Sequence, residues 1–117
     1  MRARILVVED EEDVRGFLSS LLEDNDYAVE MAEDGNQAWR LIQAQPPDLI
    51  LLDLMMPEQT GTGLYRMLRD HKDVRDIPVI VISGLAGRNV AVGKTVPVFD
   101  KPIDQDGLLK KISEMVD

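Results

Sequence analysis

The stretch Arg4-Ile5-Leu6-Val7-Val8, followed at once by Glu9-Asp10-Glu11-Glu12-Asp13, decides how the chain folds. A short run of aliphatic and β-branched residues is typical of a strand that is buried on both faces. The sudden change to acidic residues ends that strand. Acidic side chains also favour the start of a helix, because the helix dipole is positive there. The pattern therefore predicts a buried strand that leads directly into a helix.

The same alternation of strand and helix continues along the chain. Residues 49–52 and 79–82 form two further apolar runs, and weaker strands are predicted over residues 27–31 and 96–99. Strands that alternate with amphipathic helices favour right-handed crossovers and a parallel sheet covered on both faces. The apolar stripes of the predicted helices are Val14, Phe17, Leu18, Leu21 and Leu22; Ala38, Leu41 and Ile42; Leu64, Met67 and Leu68; and Leu108, Leu109, Ile112 and Met115.

Composition narrows the class of protein. The chain has 117 residues and a formal net charge of −9, with 22 acidic against 13 basic side chains and no cysteine. Such an acidic balance argues against direct binding to nucleic acid or to an anionic membrane surface. No apolar run approaches the roughly 20 residues that span a bilayer, and the absence of cysteine excludes disulfides and thiolate chemistry. We expect one α/β domain over residues 1–117, located in the cytoplasm.

Polar residues follow the apolar strands, at the ends where parallel sheets bind their ligands. They are Glu9 and Asp10 after the first strand, Asp53 after the third, Ser83 after the fourth, and Asp100 with Lys101 after the fifth. Helix capping would account for one such acid, but the three carboxylates of Glu9, Asp10 and Asp53 at one edge repel one another, and a cation offsets that repulsion. Oxygen ligands without histidine or cysteine nearby suit Mg²⁺, or Mn²⁺ in its place.

This set of residue types fits phosphoryl transfer, in which catalysis consists mostly of positioning and charge neutralisation. A carboxylate can itself be the nucleophile and form an aspartyl phosphate. Asp53 is the favoured acceptor, because the run before it is the most apolar and is expected to be the central strand.

The chain resembles the receiver domains of response regulators, the phosphoacceptor half of two-component signalling. The resemblance runs from about Arg4 to Val116 and implies a doubly wound, five-stranded parallel sheet in the flavodoxin-like order 2-1-3-4-5. Each motif alone is weak, but four in the right order are specific. The four are Ile5-Leu6-Val7-Val8-Glu9-Asp10-Glu11, Asp53-Leu54-Met55-Met56-Pro57, Pro78-Val79-Ile80-Val81-Ile82-Ser83 and Asp100-Lys101-Pro102.

The resemblance also implies individual roles. Asp53 would accept a phosphoryl group from a phosphohistidine of a sensor histidine kinase or phosphotransfer protein, and an output domain or downstream protein would read the change. Such a protein is not an enzyme beyond its own phosphorylation and dephosphorylation. Asp10 and Asp53 would bind Mg²⁺, Glu9 would do so directly or through water, and the Met55 carbonyl oxygen would add a ligand. Ser83 would donate a hydrogen bond to a phosphoryl oxygen, and Lys101 would form an ion pair with the opposite oxygen.

Three features depart from the family pattern, of which the third is minor: Thr60 stands where the family often has aspartate, and Ser83 where threonine is commoner. Val98 occupies the position where receivers usually carry a switching aromatic residue, and Phe99 comes one step later, on the opposite face of a strand. The spacing between Ser83 and Lys101 is also several residues shorter than usual. We therefore predict that the fourth helix, within residues 84–95, is short, distorted or absent; a compact loop without functional meaning is the alternative.

Other functions stay open at this point. A phosphorylation-independent interaction module would keep the fold without using phosphate. A phosphatase resembling the haloacid dehalogenases would need a second aspartate two residues after the nucleophile, where this chain has Met55. A nucleotide-binding Rossmann role is disfavoured, because no glycine-rich loop follows the first strand.

Overall fold

A parallel sheet organises the part of the chain that the computed structural model describes, residues 3–53, 62–83, 97–100 and 103–116. Its five strands are arranged in the order β2-β1-β3-β4-β5, which confirms the predicted order. The strands are β1 (Arg4–Val8), β2 (Ala28–Ala32), β3 (Leu49–Asp53), β4 (Val79–Ser83) and β5 (Val98–Asp100). The chain reverses its direction of winding between β1 and β3, so a crevice forms beyond the carboxyl ends of these two strands.

Four helices lie within the described ranges: α1 (Glu12–Asp24), α2 (Gly35–Ala44), α3 (Thr62–Asp70) and α4 (Gln105–Val116). Asp34 caps the start of α2, since its side chain accepts a hydrogen bond from the Gln37 backbone N–H at 2.7 Å. None of these helices is both long and apolar enough to cross a membrane. The prediction of a short or absent helix between β4 and β5 falls on residues 84–95, outside the described residues.

The sheet separates two hydrophobic layers. Successive strand residues point to opposite faces, so Ile50 and Leu52 pack under α2 and α3 while Leu49 and Leu51 pack under α1 and α4. All five residues of β3 are buried, as expected for the central strand. The two layers explain why the strands have continuous apolar runs: each strand between two neighbours is covered on both sides.

Several details of the sequence prediction were wrong. The predicted apolar stripes of the first and third helices include Phe17 and Met67, but these side chains are 41% and 36% exposed, whereas Leu18 and Leu68 are buried. Phe17 lies about a quarter turn from Leu18 around the helix, which is enough to bring it to the edge of the buried face. The last strand also begins two residues later than predicted and includes Asp100.

Arg4 connects three elements at the amino-terminal edge of the sheet. Its backbone N–H donates to Asp48 Oδ2 at 2.8 Å, and its carbonyl oxygen accepts from the Asp48 N–H at 2.8 Å. Its guanidinium donates to the Glu30 carboxylate on β2 and to the Gln45 carbonyl oxygen at the end of α2. This side chain is only 19% exposed, so its bonds are partly shielded from water.

We expect Arg4→Ala to lower the free energy of unfolding by about 1–2 kcal/mol, because a charge-assisted pair and a carbonyl partner are lost together. Urea denaturation measures the change. Arg40→Ala, which removes an exposed arginine from α2, is the control and should change the free energy by less than about 0.5 kcal/mol. Equal effects of the two substitutions would contradict a connecting role for Arg4.

Candidate functional site

Asp53 is the last residue of the central strand. Its neighbour Leu52 pairs in register with Val8 of β1, and Asp53 itself pairs with Ile82 of β4. The Asp53 side chain is 2% exposed. The aliphatic run before it buries the strand, and the carboxylate at its end is therefore held at the bottom of the crevice rather than on the open surface.

Glu9 and Asp10 reach the same edge from β1. The Glu9 backbone N–H donates to the Ala32 carbonyl oxygen at 3.0 Å, which continues the pairing with β2 one residue beyond the strand. The Glu9 side chain is 1% exposed, and its Oε2 accepts from the Glu11 N–H at 3.2 Å, just before α1 begins. The Asp10 side chain, in contrast, is exposed.

The three carboxylates converge. One oxygen from each of Glu9, Asp10 and Asp53 lies within 4.8 Å of the others. Negative charges this close repel one another, and the repulsion is strongest where burial weakens the screening by water. Three carboxylate oxygens fit Mg²⁺ or Mn²⁺, which prefer hard oxygen ligands and retain several waters of their own. One exposed and two buried carboxylates leave such an ion accessible from the crevice.

Of the other predicted site residues, the structure describes the backbone of Ser83 but not Met55 or Lys101. Ser83 ends β4, and its backbone pairs in register with Asp100 of β5, next to the Asp53–Ile82 pair. Met55 and Lys101 lie outside the described residues, so the roles implied for them stay predictions.

Phe99 packs in the hydrophobic layer under α1 and α4, close to Gly107 at the start of α4. It therefore contributes to that core layer. The prediction that Val98 stands in place of the usual switching aromatic residue stays a prediction.

Arg15 contacts the backbone of the acidic site, and the sequence interpretation missed this residue. Its Nη1 donates to the Glu9 carbonyl oxygen at 2.9 Å and to the Asp10 carbonyl oxygen at 3.4 Å. Its Nη2 lies 4.0 Å from Glu33 Oε2. The sequence did contain a signal for it, because a basic residue near the start of a helix opposes the helix dipole.

A family model for the response regulator receiver domain matches residues 5–113. The chain belongs to this family. Its fold and its strand-end acids agree with that membership, which confirms the resemblance drawn from the four motifs. The receiver domain is thus a module of two-component signalling.

Three relatives place this receiver domain among known proteins. It is 34% identical to Protein Rrf1 of Nitratidesulfovibrio vulgaris, over 89% of this chain and 75% of that protein. It is 35% identical to the CAI-1 autoinducer sensor kinase/phosphatase CqsS of Vibrio cholerae, over 97% of this chain and 17% of that protein. The crystal structure of the signal receiver domain of a signal transduction histidine kinase from Syntrophus aciditrophicus matches with a TM-score of 0.86 and 30% identity, over 97% of this chain and 89% of that one.

The relatives differ in how much of their length this chain represents. It spans most of Rrf1, but only about a sixth of CqsS and 11% of the sensor histidine kinase TmoS of Ectopseudomonas mendocina. In CqsS and TmoS, the matching region is therefore a small part of a much longer protein.

Proposed function

We propose that this receiver domain is a phosphoryl acceptor, which takes a phosphoryl group onto Asp53 with the help of Mg²⁺ or Mn²⁺. One observation carries the proposal: a buried carboxylate at the end of the central strand lies within 4.8 Å of two carboxylates from the neighbouring strand. A protein that used the fold only as a scaffold would gain nothing from this convergence, since like charges at that distance disfavour the folded state.

The proposed step is an in-line displacement at phosphorus. A carboxylate oxygen of Asp53 forms a bond to the phosphorus atom, the phosphorus–nitrogen bond of a phosphohistidine breaks, and the electron pair returns to the imidazole. The divalent cation supplies positive charge for the phosphoryl oxygens. Glu9, Asp10 and Asp53 would hold that cation, and the Met55 carbonyl oxygen would add a ligand.

Two further residues are proposed to bind the phosphoryl oxygens themselves. The Ser83 hydroxyl would donate to one oxygen, and the Lys101 ammonium would pair with another, which together replace the water that solvates a free phosphate. In this proposal the domain is not an enzyme acting on other molecules. Its chemistry is limited to its own phosphorylation and dephosphorylation.

The partners follow from that chemistry. A sensor histidine kinase or a phosphotransfer protein would donate the phosphoryl group, and an output domain or a separate protein would read the phosphorylated state. The new charge at Asp53 biases a conformational equilibrium only insofar as it interacts differently with the two states. We place these events in the cytoplasm, where the phosphorylated kinase domains of two-component systems act.

Acetyl phosphate tests the proposal without a cognate kinase. We expect the wild-type protein to gain one phosphate in its intact mass when incubated with acetyl phosphate and Mg²⁺, and no phosphate when a chelator replaces the metal. The absence of an adduct under both conditions, with no measurable Mg²⁺ binding, would instead favour the phosphorylation-independent interaction module.

A further inference from the structure

Arg15 contacts the backbone of Glu9 and Asp10, which carry two of the three acidic side chains of the site. Arg15 Nη1 donates to the carbonyl oxygens of Glu9 and Asp10 at 2.9 and 3.4 Å. Its side chain is only 17% exposed, so the guanidinium is fixed against the loop rather than free in solvent. The two carbonyl groups belong to the middle two of the four peptides that connect β1 to α1.

The position of Arg15 in its helix is unfavourable for helix stability alone. It is the fourth residue of α1, after Glu12 and Asp13, in a region where the helix dipole favours acids over bases. The bonds to the loop carbonyl groups offset that cost. The Ala32 carbonyl oxygen of β2 holds the Glu9 N–H, and the guanidinium contacts the two carbonyl groups that come next along the chain.

We propose that Arg15 is a positioning residue for the acidic site. By holding the two peptide planes, it fixes the backbone dihedrals at Glu9 and Asp10, and thereby the directions in which their carboxylates leave the chain. This inference rests on the proposed function for its link to Mg²⁺, but the ordering of the loop is a property of the chain itself.

Two simpler explanations make different predictions. If Arg15 acted only through its charge, its removal would strengthen Mg²⁺ binding, because one cation would no longer repel another. If Arg15 only stabilised the fold, its removal would lower the unfolding midpoint without changing the Mg²⁺ affinity of the folded protein. Of the three roles, only positioning predicts that removal of Arg15 weakens Mg²⁺ binding.

Titration with Mg²⁺, followed by backbone amide NMR shifts, distinguishes these roles. We expect Arg15→Ala to weaken Mg²⁺ binding by about tenfold, the effect typical of groups that orient metal ligands. Arg15→Lys keeps the charge but has no planar fork to bridge two carbonyl groups, so we expect a smaller but measurable loss. Glu33→Gln removes only the exposed partner at 4.0 Å and should leave the affinity within about twofold.

Hydrogen exchange of the metal-free protein supplies a second measurement that does not depend on Mg²⁺. The Glu11 amide, which donates to Glu9 Oε2, should exchange about tenfold faster in Arg15→Ala, as expected for the loss of one hydrogen bond to a charged group. The same amide should be unchanged in Glu33→Gln.

The outcomes separate the inference from the proposed function. Unchanged or tighter Mg²⁺ binding in Arg15→Ala, or unchanged exchange at Glu11, would overturn the positioning role of Arg15. A wild type that binds no Mg²⁺ and accepts no phosphate would overturn the proposed function instead, while faster exchange in Arg15→Ala would still establish that Arg15 orders the loop.

Discussion

Asp53→Asn should abolish the phosphate adduct that forms in the wild type with acetyl phosphate and Mg²⁺. The substitution keeps the size of the side chain at a site that is 2% exposed, so the packing at the end of β3 is preserved. It replaces the attacking carboxylate by an amide, whose oxygen is a far weaker nucleophile toward phosphorus. Intact mass spectrometry before and after incubation measures the effect.

The same variant should also bind Mg²⁺ more weakly, by tenfold or more, because one of the three converging carboxylates has lost its charge. Asp13→Asn is the matched control. It removes the same charge from an exposed residue in the first turn of α1, outside the converging set, and it should form the adduct as the wild type does. A full adduct in Asp53→Asn would show that another residue accepts the phosphoryl group.

The order and burial of the strands could be predicted from the sequence, because each inner strand consists of a continuous aliphatic run. The run before Asp53 predicts a strand covered on both faces, and the structure buries all five residues of β3. The edge strand β2 carries a weaker, alternating pattern, and Met31 on it is 48% exposed. Helix faces are less certain, as Phe17 shows, because a small rotation about the helix axis moves a side chain out of the core.

The acidic site was predictable to a similar degree. The carboxyl ends of parallel strands lie at one edge of the sheet, so residues directly after them come close together without depending on the loop conformation. Glu9, Asp10 and Asp53 converge there as expected. The contacts of Arg15 could not be derived in this way. They depend on the path of the loop between β1 and α1, which hydrophobic periodicity does not specify.

The second large effect concerns β3 itself. We expect Leu51→Ala and Leu52→Ala each to lower the free energy of unfolding by about 3 kcal/mol, and the melting temperature by roughly 10 °C. Both side chains are at most 1% exposed, but they lie on opposite faces of the sheet, under α1 and α4 and under α2 and α3, respectively. Each substitution leaves a cavity in a different hydrophobic layer.

The comparison between the two variants tests the architecture rather than one contact. In a sheet covered on a single face, one of two successive residues would face solvent, and its replacement by alanine would cost little. Met31→Ala on the edge strand is the control and should change the free energy of unfolding by less than about 0.5 kcal/mol. A large loss in only one of Leu51→Ala and Leu52→Ala would contradict a core on both faces of β3, and with it the reason that Asp53 is held buried at the end of that strand.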